Sequence, residues 1–418
     1  MIYTITAPET LDAQVALPAS KSISNRALII NALAGGISEP LNLSDCDDTE
    51  VTVAALRNMP DVIDIKAAGT AMRFLTAYLA VTPGQHTITG TERMKHRPIK
   101  VLVDALRYLG ADIDYVGEEG FPPLHISGRA LDGGRLDMPG DVSSQYISAL
   151  LMVAPTLKNG LELHLKGNII SRPYIDLTLS LMAAYGAEAE WSDIDTIKVS
   201  AKPYTVRPYH IENDWSAASY WYEMMAIGSK RDSRVELDGL ADGSRQGDSS
   251  VRYIFSLLGV NTIFGSKHDD TPTAVTLRCT GRRLPRLEYD FVNSPDLAQT
   301  FVVCCAALGV KFRFTGLQTL KIKETDRIEA LKAEMRKFGY VIHDVDGREL
   351  VWDGERCEAE SNPTVSTYDD HRMALAFAPL AFKYGSVRID HPQVVTKSYP
   401  AYWDDLRKAG FTITESDD

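Results

Sequence analysis

Pro18-Ala-Ser-Lys-Ser-Ile-Ser-Asn-Arg-Ala-Leu-Ile-Ile-Asn-Ala-Leu-Ala-Gly-Gly36 is the stretch that decides the fold. Ser20 and Ser22 are cap-type residues, the run after them is almost wholly apolar, and Gly35-Gly36 closes it, which predicts a helix with a glycine stop. From Ala27 to Ala34 the only polar residue is Asn31, so this helix is expected to be buried all round. Its polar residues Lys21, Ser22, Ser24 and Arg26 crowd the first two turns, where free N–H groups and the helix dipole favour an anion. Taken alone, the same residues are equally a solvated helix start.

The pattern recurs. Buried-type helices rich in small residues are expected to begin near Ser20, Gly69, Val142, Asp214, Ser294 and Tyr368, each opening with a polar cluster. By subtraction these starts lie 49, 73, 72, 80 and 74 residues apart, so the first unit is short by about 24 residues. Six amphipathic helices alternate with them, opening near Asp48, Arg97, Arg172, Gly247, Asp326 and Tyr399. Short β-type runs such as Gln85-His-Thr-Ile-Thr, Leu161-Glu-Leu-His-Leu and Phe312-Arg-Phe-Thr fill the gaps. One unit thus reads strand, buried helix, strand, amphipathic helix and hairpin. The chain is expected to be α+β: six βαβαββ modules in two domains of three, each around buried parallel helices.

Composition sets the limits. The chain of 418 residues is 44% hydrophobic and 24% charged, with a formal net charge of −12. That charge argues against nonspecific binding of nucleic acid or anionic membranes, though not against a local basic pocket. No apolar run approaches the ~18 residues of a membrane span, and no basic-then-apolar leader opens the chain, so a cytoplasmic location is expected. Cys46, Cys279, Cys304, Cys305 and Cys357 show no metal-ligand spacing; Cys304 and Cys305 lie in an apolar run and read as reduced core thiols.

Several clusters carry chemistry. Lys323-Glu-Thr-Asp-Arg327 precedes an amphipathic helix, so Lys323 and Arg327 are expected on one face with Glu324 projecting elsewhere. Two cations beside a carboxylate suit phosphate binding with proton transfer; a capped helix start with surface ion pairs is the alternative. Arg93-Met-Lys-His-Arg97 before Pro98 is expected to be a loop, either a solvated basic loop or an arm that carries guanidinium groups onto an anion. Val142-Ser-Ser-Gln145 opens the third buried helix with two hydroxyls, as a cap or a phosphate cradle. Asp370-His371-Arg372 opens the sixth, and Asp296 the fifth, behind Pro295.

At these residues the sequence resembles the 5-enolpyruvylshikimate-3-phosphate synthases, one of the enolpyruvyl transferase families. The likeness runs from Ser20-Lys-Ser-Ile-Ser-Asn-Arg-Ala through Ala68-Gly-Thr-Ala-Met-Arg73, Arg93-Met-Lys-His-Arg-Pro98, Val142-Ser-Ser-Gln145, Ser171-Arg-Pro-Tyr-Ile-Asp176 and Gln246-Gly-Asp248. It continues through Lys323-Glu-Thr-Asp-Arg327, Asp370-His-Arg-Met373 and Lys397-Ser-Tyr-Pro400. The resemblance implies the enolpyruvyl transferase fold, with residues 1–20 and 213–418 in one domain and 21–212 in the other. It implies shikimate 3-phosphate held by Ser22, Arg26, Ser143, Ser144, Gln145, Ser171, Tyr174, Asp296 and Lys323. Phosphoenolpyruvate would be held by Lys21, Gly69, Arg93, Gln145, Arg327, Arg372 and Lys397. Lys21, Asp296 and Glu324 would be catalytic, with no metal or cofactor, no nucleic-acid or membrane partner, and a monomeric chain.

Three departures from the family pattern stand out: Ala67 and Thr319 occupy positions where the family has asparagine, and the first repeat is shortened between Asn58 and Lys66, as if a hairpin were lost. Two other readings follow. One is the sister enolpyruvyl transferase acting on UDP-N-acetylglucosamine, which usually carries a cysteine in the mobile loop where Arg93 to Arg97 has none. The other is a relative that binds anionic metabolites without turnover.

Overall fold

A computed structural model describes residues 1–228, 230, 233–265 and 272–417. The chain forms two compact units, Met1–Pro18 with Glu212–Asp418, and Ala19–Ile211. Ala19 and Ser20 fall in the second unit and Glu212 in the first, each on the other side of the boundary expected from sequence. Local bonding explains both shifts. Ser20 caps the Lys21–Leu33 helix, its hydroxyl accepting from the Ile23 N–H. Glu212 accepts from the Trp215 indole, the Ala241 N–H, the Ser244 hydroxyl and the Gln246 amide, all within the first unit.

Five four-stranded sheets share one plan. The first strand of a repeat lies parallel to the second, the second antiparallel to the fourth, and the fourth antiparallel to the third. In the third repeat Gly134–Pro139 runs parallel to Leu161–Lys166, which pairs with Thr196–Val199, which in turn pairs with Ala189–Trp191. A parallel pair needs a crossover, and the buried helix supplies it; here that is Ser144–Val153. The amphipathic helix leads to the hairpin.

The N-terminal strands complete two repeats of the first unit. Ile2–Thr6 is the fourth strand of the last repeat, between Ser386–Asp390 and Thr412–Ser416. Asp12–Ala16 is the opening strand of another, parallel to Arg234–Leu240.

The first repeat departs further from the plan than expected. Its two helices, Lys21–Leu33 and Asp47–Asn58, have no sheet of their own among the described residues, only an isolated bridge between Leu41 and His210. The short strand Val62–Asp64 belongs to the second repeat, parallel to Gly84–Thr89. The missing residues therefore cost the module its sheet rather than one hairpin. One consequence is local: Ile23 to Asn31 are buried, but the last turn at Ala32 and Leu33 is only half-buried, so burial all round to Ala34 does not hold. A cavity of about 350 Å³, lined by Leu28, Ala32, Val53 and Leu56, opens there, at the opposite end of the helix from Lys21.

The buried helices of the next two repeats are closed over more of their length. In Ser144–Val153 every residue is buried except Gln145. Gly69–Val81 is buried continuously from Gly69 to Ala77. The three buried helices of each unit anchor separate hydrophobic cores, around Phe74, Leu75 and Leu150 in one and around Trp221, Phe301 and Phe377 in the other. Because their bodies have no polar side to show, their polar first turns are the only places where they can present chemistry.

Candidate active site

In the first unit four cations and three carboxylates interlock. Arg327 lies at the start of the Arg327–Lys337 helix, buried to 1% exposure. Its Nε donates to Asp370 Oδ2 at 2.7 Å and its Nη2 to Asp370 Oδ1 at 3.2 Å. Nη1 donates to Asp296 Oδ1 and Nη2 to Glu324 Oε2, both at 2.9 Å. Asp296 also meets Lys323 Nζ at 3.3 Å and Arg372 Nη2 at 3.2 Å. Glu324 Oε1 meets Lys397 Nζ at 2.9 Å. Asp370 is fully buried and caps the His371–Phe377 helix by accepting from the Arg372 N–H.

Two expectations change here. Asp326 caps the Arg327–Lys337 helix with bonds from Ile328 and Glu329, so Lys323 lies outside it and shares no helix face with Arg327. The two cations converge instead on Asp296. Glu324 does not project elsewhere; it reaches back onto Arg327.

Burial alone would favour the neutral forms of Asp296 and Arg327, and the charges around them outweigh it. Burial would raise the Asp296 carboxyl, but Arg372, Lys323 and Arg327 hold it well below the usual carboxylate range. Burial would depress Arg327, but Asp370, Glu324 and Asp296 raise it. The Tyr220 hydroxyl, which accepts from Arg372 Nη1 at 3.2 Å, is pushed up by burial to about 12. Asp248 is raised to about 6, first by burial and then by the nearby charge of Asp296, and it accepts a hydrogen bond from Ser216. Thr319 has a buried hydroxyl with no hydrogen-bond partner among the described residues.

In the second unit the clusters stand at the polar ends of three buried helices. Lys21 Nζ lies 3.3 Å from Asp48 Oδ2, a buried carboxylate in the first turn of Asp47–Asn58. Arg26 is 2% exposed and committed inward: Nε donates to Thr178 at 2.7 Å, Nη2 to Ser148 at 3.1 Å, and Nη1 to the Ser22 carbonyl at 2.8 Å. Its guanidinium lies 5.2 Å from the Phe74 ring centroid and 6.0 Å from that of Tyr174, and burial lowers its pKa to about 10. Gln145, the half-buried residue of its helix, donates to Thr70 at 3.0 Å, while Ser143 caps that helix and Ser144 is buried. Ser171 holds a left-handed backbone at φ 53° ahead of Arg172–Ala184, and its carbonyl accepts from the Tyr174 N–H.

The basic segment is not all loop. Glu92–Lys95 forms one helical turn, capped by the Thr91 hydroxyl and anchored by buried Met94. That turn leaves Arg93 exposed and turns Arg97 toward Gly69. A Cβ at Gly69 would come within 2.7 Å of Arg97 Nη1 and 2.9 Å of Arg73 Nη1, so any side chain there would push both guanidinium groups aside. Arg73, 4% exposed, donates to the Gly69 carbonyl at 2.9 Å and to the Pro98 carbonyl at 3.3 Å, and the Tyr146 hydroxyl donates to that same Pro98 carbonyl at 2.5 Å. The arm is thus tied to the mouth of the Gly69–Val81 helix. Two guanidinium groups, those of Arg73 and Arg97, thus meet at one helix N-terminus, a place where positive charge gathers in a chain of net negative charge.

The family model for EPSP synthase (3-phosphoshikimate 1-carboxyvinyltransferase) matches residues 5–63 and 58–406. The chain belongs to the EPSP synthase family. It is similar to a 3-phosphoshikimate 1-carboxyvinyltransferase of Bacteroides fragilis, 60% identical over 413 residues that make up 99% of each chain. The enzyme of that name from Shewanella halifaxensis is 34% identical over 417 residues, covering 93% of this chain and 94% of that one. The EPSP synthase of Acinetobacter baumannii, a solved structure, superposes with a TM-score of 0.80 at 20% identity and covers 100% of both chains, so the two share the fold. As a member of this family the chain is a transferase. Among the described residues no helix is long and apolar enough to cross a membrane.

Sequence reasoning did not single out Arg73 or Asp48, and it carried Arg97 and Asp370 only as members of the Arg93–Arg97 and Asp370–Arg372 clusters. A signal existed for each arginine: Arg73 stands one helical turn after Gly69, and Arg97 is the last cation before Pro98. Asp48 and Asp370 carry only the signature of helix-capping acids, which does not announce a cation partner.

Proposed function

We propose that this chain transfers the enolpyruvyl group of phosphoenolpyruvate to the 5-hydroxyl of shikimate 3-phosphate and releases phosphate. The observation that carries the reading is the 60% identity to the Bacteroides fragilis 3-phosphoshikimate 1-carboxyvinyltransferase over 99% of both chains. In this reading a proton is added to C3 of phosphoenolpyruvate, C2 becomes electrophilic, and the 5-oxygen attacks it as it loses its own proton. The tetrahedral adduct then breaks its bond to phosphate, and C3 gives up a proton to restore the double bond.

Glu324 handles the C3 proton, and Asp296, held ionised by its three cations, accepts the hydroxyl proton. Lys323 lies beside Asp296 and assists in binding shikimate 3-phosphate. Arg327, Arg372 and Lys397 take the phosphate and carboxylate of phosphoenolpyruvate, with charge-assisted bonds that strengthen as negative charge moves onto the leaving phosphate. Lys21, Gly69 and Gln145 serve phosphoenolpyruvate, and Arg97 takes the role that the resemblance gave to Arg93, because Arg97 is the guanidinium at Gly69. Ser22, Ser143, Ser144, Ser171 and Tyr174 hold shikimate 3-phosphate, and Arg26 stiffens that cradle from below through Ser22, Ser148 and Thr178.

The test is a coupled phosphate-release assay with phosphoenolpyruvate and either shikimate 3-phosphate or UDP-N-acetylglucosamine. Release only with shikimate 3-phosphate is expected. Release only with the nucleotide sugar, or ligand binding without release in long incubations, overturns the reading.

A further inference from the structure

The cations assigned to phosphoenolpyruvate are held by the protein's own carboxylates. Glu324 bridges Lys397 and Arg327 with one oxygen each, at 2.9 Å. Asp296 bridges Lys323 and Arg327 with Oδ1 and reaches Arg372 with Oδ2. Asp370 takes the inner edge of Arg327. An anion that binds here competes for the same N–H donors, because a guanidinium fork that serves a carboxylate cannot serve a phosphate at the same time.

The three carboxylates are not equally able to yield. Asp370 is fully buried and also caps a helix, so its removal would strand a buried charge. Asp296 is shared among three cations and keeps two if one leaves. Glu324 has a 15% exposed side chain and lies three residues ahead of Arg327, outside the helix, so rotation of its own side chain suffices to release it. It is the group that yields.

We propose, resting on the reading above that this cluster binds phosphoenolpyruvate, that binding is an exchange in which the ligand's anionic groups take Lys397 and Arg327 from Glu324, and the displaced carboxylate takes up a proton from solvent. Loss of two cationic partners and arrival of an anion both favour the neutral carboxyl. Facing it are Lys397 and Arg327 directly, with Asp296, Lys323, Arg372 and Asp370 behind them. The balance is simple: one carboxylate oxygen gains one proton, two ion pairs to Glu324 open, and new ones to the ligand form. The substrate thereby loads the acid that protonates its own C3, and Glu324 is a weaker acid only while phosphoenolpyruvate is present to receive the proton.

Titration calorimetry of phosphoenolpyruvate into the full chain, without shikimate 3-phosphate and hence without turnover, tests this. It is run near neutral pH in two buffers of different ionisation enthalpy, so that proton uptake is counted directly. The wild type is expected to take up more protons per ligand than Glu324→Gln, by roughly half a proton or more, with the difference isolating Glu324 from the ligand's own phosphate. Glu324→Gln, which keeps the shape and removes the competing charge, is expected to bind phosphoenolpyruvate about fivefold to tenfold tighter while turnover falls. Equal proton counts in the two proteins, or equal or weaker binding by the variant, overturns the exchange. An Arg372→Gln protein that binds phosphoenolpyruvate as the wild type does would instead show that the cluster is not its site.

Discussion

Arg327→Met removes one guanidinium from three carboxylates, and the structure sets the scale of the loss. The side chain is 1% exposed and its innermost partner, Asp370, is fully buried. Removing one member of a buried pair leaves an uncompensated charge, at a cost of about 3–5 kcal/mol. Most of that falls on Asp370, because Asp296 keeps Lys323 and Arg372 and Glu324 keeps Lys397. At roughly 2–4 °C per kcal/mol for a domain of about this size, the melting temperature should drop by about 6–20 °C. Asp370→Asn tests where the cost arises. In the double variant the stranded charge is gone and the amide oxygen can still cap the His371–Phe377 helix, so most of the lost stability should return while activity does not. Urea unfolding and thermal melts of the two single variants and the double variant measure the cycle. If Arg327→Met melts within about 2 °C of wild type, or the double variant is no more stable than Arg327→Met, then Arg327 does not hold Asp370 in the way its distances indicate.

Arg97→Ala should lower kcat/KM for phosphoenolpyruvate at least tenfold by roughly the loss of one charge-assisted contact, whereas Arg93→Ala should stay within about threefold; phosphate-release kinetics of the pair separate them. Glu223 lies fully buried in the Trp215–Gly228 helix with neither carboxylate oxygen hydrogen-bonded among the described residues, and burial raises its pKa well above the ordinary value. The folded state therefore holds its proton longer than the unfolded state, and the contribution present below the unfolded pKa is lost as pH rises toward the raised one. Glu223→Met should stabilise the chain by about 1–3 kcal/mol near neutral pH and less in acid, read by urea unfolding at both. Ala67→Asn should lower KM for shikimate 3-phosphate by about threefold to tenfold, the worth of one net hydrogen bond of roughly 0.5–1.5 kcal/mol; steady-state kinetics unchanged within about twofold would show that the amide has no vacant place to fill.

The repeat was legible because a helix buried all round has no polar face to disguise it and must stop at a glycine or a turn; Gly69–Val81 and Ser144–Val153 announce themselves by composition alone. Strand pairing was less so. Ile2–Thr6 pairs with Ser386–Asp390 and Thr412–Ser416 near the other end of the chain, and no local signal encodes a contact at that separation. The shortage in the first repeat is countable from the sequence, but that the strand Val62–Asp64 within the shortened stretch belongs to the second repeat is shown only by its pairing with Gly84–Thr89.

At the site, spacing misled wherever a helix boundary intervened. Lys323 and Arg327 are four apart, but a capping Asp326 stands between them, and a cap ends the reach of helical periodicity. Arg93 and Arg97 are four apart in the opposite sense: buried Met94 fixes the turn, so one arginine faces solvent and the other faces Gly69. A count of cations along a sequence measures charge, not free charge. Here Lys323, Arg327, Arg372 and Lys397 come from three separated segments, two of which also supply Glu324 and Asp370, and Asp296 comes from a fourth, so the cluster's net charge is small although its parts read as strongly basic. Such a cluster can gather seven charged groups in a partly buried place, because each is paired, and it can still bind an anion if one internal carboxylate gives way. That condition is a property of the pairing, which only the folded chain displays.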